Sequence, residues 1–388
     1  MSPSRILVTD MQDRPGIAAA RCLHDSGYVV TGTGLSRGAP GLWSRRCSSR
    51  HVVPDVHVGV DGYVTALERV VSEQQHELLL PGTDETLHAV SSRRERLAPH
   101  VGLGLPAHEV VERALSKVCL ATEAERVGLP TPEGRVCEDF DAALRAAREF
   151  GFPVLVKGVD TIKEVEGQLV RYPTALVSDQ DELRDAQQRI GRCIVQRRCA
   201  GHVVAFVGVV TETGLLGSVL SRYRRTWPPI AGMASFAETV AVPPQLAEQV
   251  RALMDAIGWR GIFQLQMIEG DDGVIRPIDL NPRLFGSISI ARAAGVPLST
   301  LWCDWLLGKD PQPVTCRPGV AYRWEQGDAR RILWQLRHGD TRGALSALAP
   351  RTGTAHPYFE LRDPLPFVAQ CVELAAVRWR HTVGERST

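Results

Sequence analysis

Over residues 5–110 of the 388-residue chain, short apolar runs alternate with amphipathic stretches. Residues 5–9 and 28–32 have the apolar, β-branched make-up of strands, and 17–26 between them has helical spacing. A strand, a helix and a second strand in so short a span predict the start of a parallel α/β layer. Residues 77–81 predict a further strand, and Gly82-Thr83-Asp84-Glu85 after it reads as a loop entering a helix N-cap. Open α/β sheets bind ligands at such strand ends, so Thr83, Asp84 and Glu85 are substrate-contact candidates. The other reading is a cap followed by first-turn acids that complement the helix dipole. The turn at 10–16 lacks the Gly-x-Gly-x-x-Gly spacing that lets a backbone approach a pyrophosphate, which argues against a dinucleotide-binding domain.

The pattern then changes. A helix from Ser116 carries Lys117 and stops at Gly128-Leu129-Pro130-Thr131-Pro132, where a C-cap glycine and two prolines mark a boundary. Residues 152–157, 174–177 and 193–196 predict strands and 179–190 a helix, an α+β arrangement. Two β-hairpins come next: 203–210 with 215–221, and 261–268 with 274–280, separated by a helix over 244–257. Helices are predicted around 286–295 and 298–307. A Pro-rich stretch to residue 318 reads as a linker to a tail with an Arg-rich helix at 328–338.

Composition narrows the partners. The 45 basic side chains nearly cancel the 44 acidic ones, so no global field favours nucleic acid or a membrane surface. No run approaches the length of a membrane span and the N-terminus lacks a signal-peptide pattern, so a cytoplasmic protein is expected. Nine scattered cysteines without a Cys-x-x-Cys pair predict reduced, mostly buried thiols rather than a disulfide framework or a zinc knuckle.

The sharpest chemical signal is Ile278-Asp279-Leu280-Asn281-Pro282-Arg283 at the end of an apolar strand. Residues two apart on a strand share a face, so Asp279 and Asn281 point together, and the hairpin partner presents Gln264 and Gln266. Cross-strand pairing brings Gln266 beside them, giving three oxygen donors suited to Mg²⁺, which leaves much of its coordination to phosphates and water. Arg283, two residues on, is placed to offer its planar fork to a phosphate or acyl phosphate. Taken alone, the motif also reads as a strand end, a turn and a surface ion pair.

Taken with its neighbours, the order of motifs resembles the ATP-grasp superfamily, especially the carbamoyl-phosphate synthetase large-chain and carboxylate-amine ligase branch. Asp279-Leu280-Asn281-Pro282-Arg283 resembles that family's Glu-x-Asn-Pro-Arg metal strand, and Gln266 matches its partner-strand glutamine. Ser116-Lys117 looks like the first nucleotide lysine, and Phe152-Pro153-Val154-Leu155-Val156-Lys157 like the strand carrying the second. Residues 194–201 resemble the hinge that reads adenine through its backbone, implying nucleotide contacts at Gln196, Arg197, Arg198 and Cys199. Arg222, ahead of a Pro/Gly-rich loop, resembles a substrate clamp, and Gly286-Ser287 with Ser289 an anion-facing helix start.

The resemblance implies an α/β and α+β protein with the ATP-grasp fold: an N-terminal parallel-sheet domain (1–113), a small lid subdomain (114–199), a C-terminal antiparallel-sheet subdomain (200–312) and a tail (313–388). It implies ATP and Mg²⁺ as cofactors and small-molecule carboxylate and amine substrates joined through an acyl phosphate, with Arg283 and Arg222 in catalytic roles. The chain departs from the family in two places. Residues 158–167 hold only two glycines where a Gly/Ser-rich phosphate lid is usual, and Arg197 replaces an acidic hinge residue. Two other readings stay open, carbamoyl- or carboxy-phosphate formation and nucleotide binding without turnover. The apolar, tryptophan-rich 302–334 region is a candidate homodimer interface.

Overall fold

The first layer of the computed structural model, which describes residues 3–229, 232–348 and 351–384, is a four-stranded parallel sheet. Its strands run in the order Ser49–Val52, Val29–Gly34, Arg5–Val8, Leu78–Leu80. The two central strands are buried on both faces, Arg5–Val8 with the apolar run Ile6-Leu7-Val8 and Val29–Gly34 with small residues and buried Thr31 and Thr33. Helix Arg14–Asp25 starts three residues before the predicted 17–26, because Pro15 fits the first turn, where its missing N–H has no partner to lose. The strand end at Leu80 leads into helix Asp84–Ser92, whose cap is a reciprocal pair: the Thr83 hydroxyl accepts from Thr86 N–H and the Thr86 hydroxyl from Thr83 N–H.

Residues 134–197 form a second unit with its own core. Strands Gly134–Cys137, Cys193–Arg197, Val154–Gly158 and Thr174–Val177 make an antiparallel sheet in that order, covered by helices Phe140–Phe150 and Gln180–Ile190. Ala143, Ala147, Val154, Val156, Leu183 and Val195 pack into a cluster separate from the main core. The expected lid began at 114, but helix Lys117–Arg126 buries Leu120 and Ala124 in the main core beside helix Pro244–Ile257. That helix therefore belongs to the larger body.

The glycine-poor stretch after Lys157 is a β-hairpin, Ile162–Val165 with Gln168–Arg171. Its two-residue turn is Glu166-Gly167, both at positive φ (51° and 78°), the geometry that matches strand twist in tight hairpins. The hairpin sits on the N-terminal domain: Val60 N–H donates to Gly167 C=O at 3.3 Å, and Ile162 and Leu169 join the main core.

The third layer is a seven-stranded sheet in the order Ile275–Asn281, Gly261–Gly270, Gly201–Val210, Leu215–Trp227, Met233–Val240, Ala321–Arg323, with Val314–Thr315 beside Leu215–Trp227. Two features go beyond the predicted hairpins. The strand at 215 runs on to Trp227 and turns back as Met233–Val240, and the supposed tail supplies the strand Ala321–Arg323 that pairs with it. The expected break near 313 is thus crossed by the sheet. In the region proposed as a dimer interface, Trp302 and Trp324 are core residues, 0% and 7% exposed, while Leu333 is 52% exposed. All nine cysteines are free and five are buried. No helix among the described residues is long and apolar enough to cross a membrane.

The C-terminal segment is tied down by a buried ion pair. Arg21, on helix Arg14–Asp25, donates to Asp363 Oδ2 at 2.9 Å and to the carbonyls of Pro357 and Tyr358, while Asp363 also accepts from Ser44 Oγ and Arg45 N–H. Both side chains are 2% exposed or less. Removing one member of such a pair leaves an uncompensated buried charge, so Arg21→Ala should destabilise the protein by about 3–5 kcal/mol in reversible denaturant unfolding. A loss under ~1 kcal/mol would show that the tail is held by other contacts.

Candidate active site

Strand Gly261–Gly270 buries Phe263, Leu265 and Met267 on one face and turns Gln264 and Gln266 to the other. In the ladder with Ile275–Asn281, Gln264 pairs with Asn281 and Gln266 with Asp279, so all four polar side chains share one face. The register slips just beyond, where Met267 pairs with Pro277 and Ile278 is left over as a bulge. Gln264 Oε1 accepts from Asn281 Nδ2 at 3.2 Å, while Ser287 Oγ accepts from Gln264 Nε2 at 3.2 Å. That chain fixes the Asn281 amide with its oxygen toward Arg283, 2.9 Å from Nη2. One carboxylate and two amide oxygens on one face are hard donors that fit Mg²⁺ accompanied by phosphate and water.

Two lysines approach this face. Ser116 caps the helix that Lys117 opens, and the Lys117 ammonium donates to Thr161 Oγ1 at 2.9 Å and lies 3.4 Å from Asp279 Oδ1. Lys157 ends its apolar strand 6% exposed, and its ammonium has no hydrogen-bond partner among the described residues. Burial pushes that ammonium down to about 8; Asp279 opposes the shift and the Lys117 charge adds to it. An unpartnered, nearly buried cation of this kind favours the approach of an anion.

Arg283 is not free in the cleft. Its Nε and Nη2 hold both oxygens of Asp84, at 2.7 and 2.8 Å. Arg171, from the lid hairpin, grips the same carboxylate at 2.6 Å and Glu85 Oε1 at 2.6 Å. Burial alone would raise the Asp84 carboxyl, but Arg283 and then Arg171 hold it well below the usual carboxylate range. Asp84 and Glu85 are therefore partners for arginines from two other parts of the fold, and Thr83 is the cap.

At the hinge, the Arg197 side chain turns away to Glu133 Oε2 at 2.8 Å and the Phe150 carbonyl, and its N–H donates to Glu133 C=O. Arg197 thus braces the lid and has no donor left on its backbone for a nucleotide, a correction to its expected role. Gln196 N–H and C=O lie within the strand pairing with Leu155 and Gly134. Arg198 and Cys199 come after the strand, and their backbone groups make no main-chain hydrogen bond among the described residues. Arg222 is a second correction. It pairs with Val204, which pairs with Met267, so it lies on the sheet face opposite Gln266 and is ion-paired with Glu269. An arginine there cannot clamp a substrate beside Asp279.

Sequence reasoning passed over the other wall of the cleft. Asp13 and Arg14 lie in the turn set aside for lacking a glycine fingerprint. Asp13 is open to solvent but hemmed in, and loss of solvation, with the Asp10 charge adding, pushes its carboxyl up to about 6. Arg14 lies 4.0 Å from the Trp324 ring centroid and donates to the Tyr322 hydroxyl at 3.1 Å. Tyr322 in turn donates to the Gly286 carbonyl, and a Cβ on Gly286 would meet Arg14 Nη2 at 2.9 Å. A side chain at 286 would thus displace the Arg14 guanidinium from this position. Ser287 is the Gln264 partner, and Ser289 Oγ is buried without one.

A parallel domain, an antiparallel lid and a large antiparallel sheet meeting at one polar face make up the ATP-grasp fold, as the similar solved structures bear out. The segment 207–327 matches the family described as ATP-grasp in the biosynthetic pathway with Ter operon. The carbamoyl phosphate synthase large chain of Thermus thermophilus is 26% identical over 215 residues, covering 53% of this chain and 21% of that one. The chain therefore spans about a fifth of that curated relative's length. Among solved structures, the biotin carboxylase–β,γ-ATP complex of Campylobacter jejuni matches with a TM-score of 0.64 at 14% identity, over 82% of this chain and 74% of that one. The L-amino acid ligase of Bacillus licheniformis matches with a TM-score of 0.60 at 14% identity, over 79% and 75%.

Lys157 yields a pH prediction. A bound phosphate favours the protonated amine, so Mg-ADP affinity should be flat below pH 8 and fall by up to about tenfold per pH unit above it, while the free protein must take up a proton to bind. Calorimetric titration between pH 7 and 9 reads this directly. Lys157→Gln should bind more weakly at pH 7 and lose the dependence; a flat wild-type profile would remove the lysine from the phosphate site.

Proposed function

We propose that the chain is an ADP-forming ligase that couples a small-molecule carboxylate to an amine. The observation that carries this reading is the convergence of Asp279, Asn281 and Gln266 on one sheet face with Lys117 against Asp279 and Lys157 electrostatically coupled to both. In the reaction, a carboxylate oxygen attacks the γ-phosphorus of ATP, the β–γ bridging bond breaks, and ADP leaves. The amine nitrogen then attacks the acyl carbon, phosphate departs, and the nitrogen gives up a proton.

Asp279, Asn281 and Gln266 would hold Mg²⁺, which neutralises phosphate charge when bound. Lys117 and Lys157 supply fixed positive charge for the transferring oxygens, and Lys157, nearly buried, does so with little reorganisation. The Arg198 and Cys199 backbone offers free donors and acceptors for an adenine edge. On the opposite wall Asp13 and Arg14 present opposite charges at adjacent positions, which suits a zwitterionic acceptor such as an amino acid. The likeness to an L-amino acid ligase agrees with that choice.

A second reading, nucleotide binding without turnover, draws on one observation: a docked hairpin stands where the family carries a glycine-rich phosphate loop. One experiment separates the two. Phosphate and ADP release from Mg-ATP is measured with pooled amino acids and small carboxylates, for the wild type and for Asp279→Ala. Release that requires the pool and falls about 100-fold or more in the variant supports the ligase. In the responding pool, Asp13→Asn should raise KM for the amine more than it lowers kcat. ATP binding without release in any pool would favour the second reading.

A further inference from the structure

Helix Asp84–Ser92 and helix His108–Leu115 pack against each other beside a cavity of about 680 Å³, to whose lining the lid hairpin contributes Ile162, Lys163 and Glu164. His108 and Glu112 are four residues apart and so share one helical face, and His88 from the other helix meets them there. One ligand atom from each of the three lies within 4.8 Å of the other two. His108 Nδ1 is hydrogen-bonded to Ser91 Oγ at 2.9 Å, which leaves Nε2 turned toward Glu112 Oε1, 3.7 Å away. A ring nitrogen oriented by a bond through its other nitrogen is the usual support of a metal-ligating histidine.

A second observation points the same way. His88 is 5% exposed and its Nδ1 is buried with no hydrogen-bond partner. An unsatisfied buried ring nitrogen costs stability as an ordinary core group, but becomes a donor once a cation sits between the rings. The two rings meet edge to face at 5.0 Å. Burial, and then the neighbouring His108, push the His88 imidazole down to about 4, so at neutral pH its lone pair is available without displacing a proton.

We propose that His88, His108 and Glu112 form a binding site for a divalent transition-metal ion of the zinc class, separate from the Asp279 face. Two imidazoles and a carboxylate are the borderline donors such ions take, and the fourth position opens into the cavity. His108 Nε2 and Glu112 Oε1, 3.7 Å apart, already stand near the ligand spacing of a tetrahedral site, and all three ligand atoms lie within 4.8 Å of one another, so a small closure would complete it. The ion would pin together the helix that starts at Asp84, the partner of Arg283, and the helix that runs into Ser116 and Lys117. The site stands independently of the ligase reading.

The test uses the full chain without an affinity tag. Zn²⁺ is titrated in competition with a chromophoric chelator, and Co²⁺ is added separately for its absorption spectrum. The wild type should take up one tight equivalent, Glu112→Gln and His108→Asn should weaken it by at least about tenfold, and Cys119→Ser, in the same cavity, should leave it unchanged. The Co²⁺ form should show no thiolate charge-transfer band. Zn²⁺ should raise the unfolding temperature of the wild type and not that of Glu112→Gln, whose exposed side chain makes it the variant that folds normally. Wild-type-like affinity in both ligand variants, a thiolate band, or no tight equivalent would each overturn the proposal.

Discussion

Three parts of the chain are joined at one carboxylate. Asp84 belongs to the N-terminal domain, Arg283 to the turn after strand Ile275–Asn281 and Arg171 to the lid hairpin; Arg283 bonds both carboxylate oxygens and Arg171 shares Oδ2. Asp84 is fully buried, so its charge would be prohibitively costly without these partners, and the two arginines repel each other without it. The sharing is what makes the arrangement cooperative: shifting any one of the three units strands charge on the other two. The ladder itself spaces Asp279, Asn281 and Gln266, and the junction fixes how that face stands against the N-terminal domain and the lid hairpin.

The same junction accounts for the segment after Lys157. A glycine-rich loop leaves its backbone donors free to wrap phosphates, whereas a hairpin uses its own in the ladder. Here the chain adopts the ladder, with Glu166 and Gly167 making the tight turn, and Arg171 and Glu164 anchor it: Arg171 to Asp84 and Glu85, Glu164 to Arg93. The cations left at the cleft are side chains, Lys117 and Lys157. Under the proposed function, phosphate would meet point charges more than a backbone nest.

Much of this was legible in the sequence where a short-range rule governs it. The two-residue period of a strand was enough to place Gln264, Gln266, Asp279 and Asn281 on one face, because pairing register and alternation are local. The parallel first layer and both hairpins emerged from apolar periodicity in the same way. The features that escaped were set by distant partners. Arg222 looked like a clamp because arginines precede a Pro/Gly loop, yet the parity of the Leu215–Trp227 strand sends it to the far face. Arg197 looked like a hinge contact, but Glu133 across the sheet takes its N–H and its side chain. The strand Ala321–Arg323 is only three residues long and carries no periodic signal, so its membership of the sheet, and with it the placing of Tyr322 and Trp324 in the cleft wall, depends on Met233–Val240 as a template.

The late segment also shapes the cleft wall. Arg14 comes from the first domain, but its guanidinium is positioned by Tyr322 and Trp324, more than three hundred residues later, and by the bare backbone of Gly286. A planar guanidinium over an indole loses little of its donor capacity, since the stacking uses its face and leaves N–H groups in its plane. The remaining edge is aimed by the ring beneath it and by the Tyr322 hydroxyl. The wall around Arg14 is thereby built by distant parts of the chain that meet only in the folded state, while the polar face with its two lysines is built within 117–283. The Arg14 guanidinium is thus set by contacts between the first domain and the late segment, and the polar face by a ladder within one sheet, so the two walls draw their geometry from different parts of the fold.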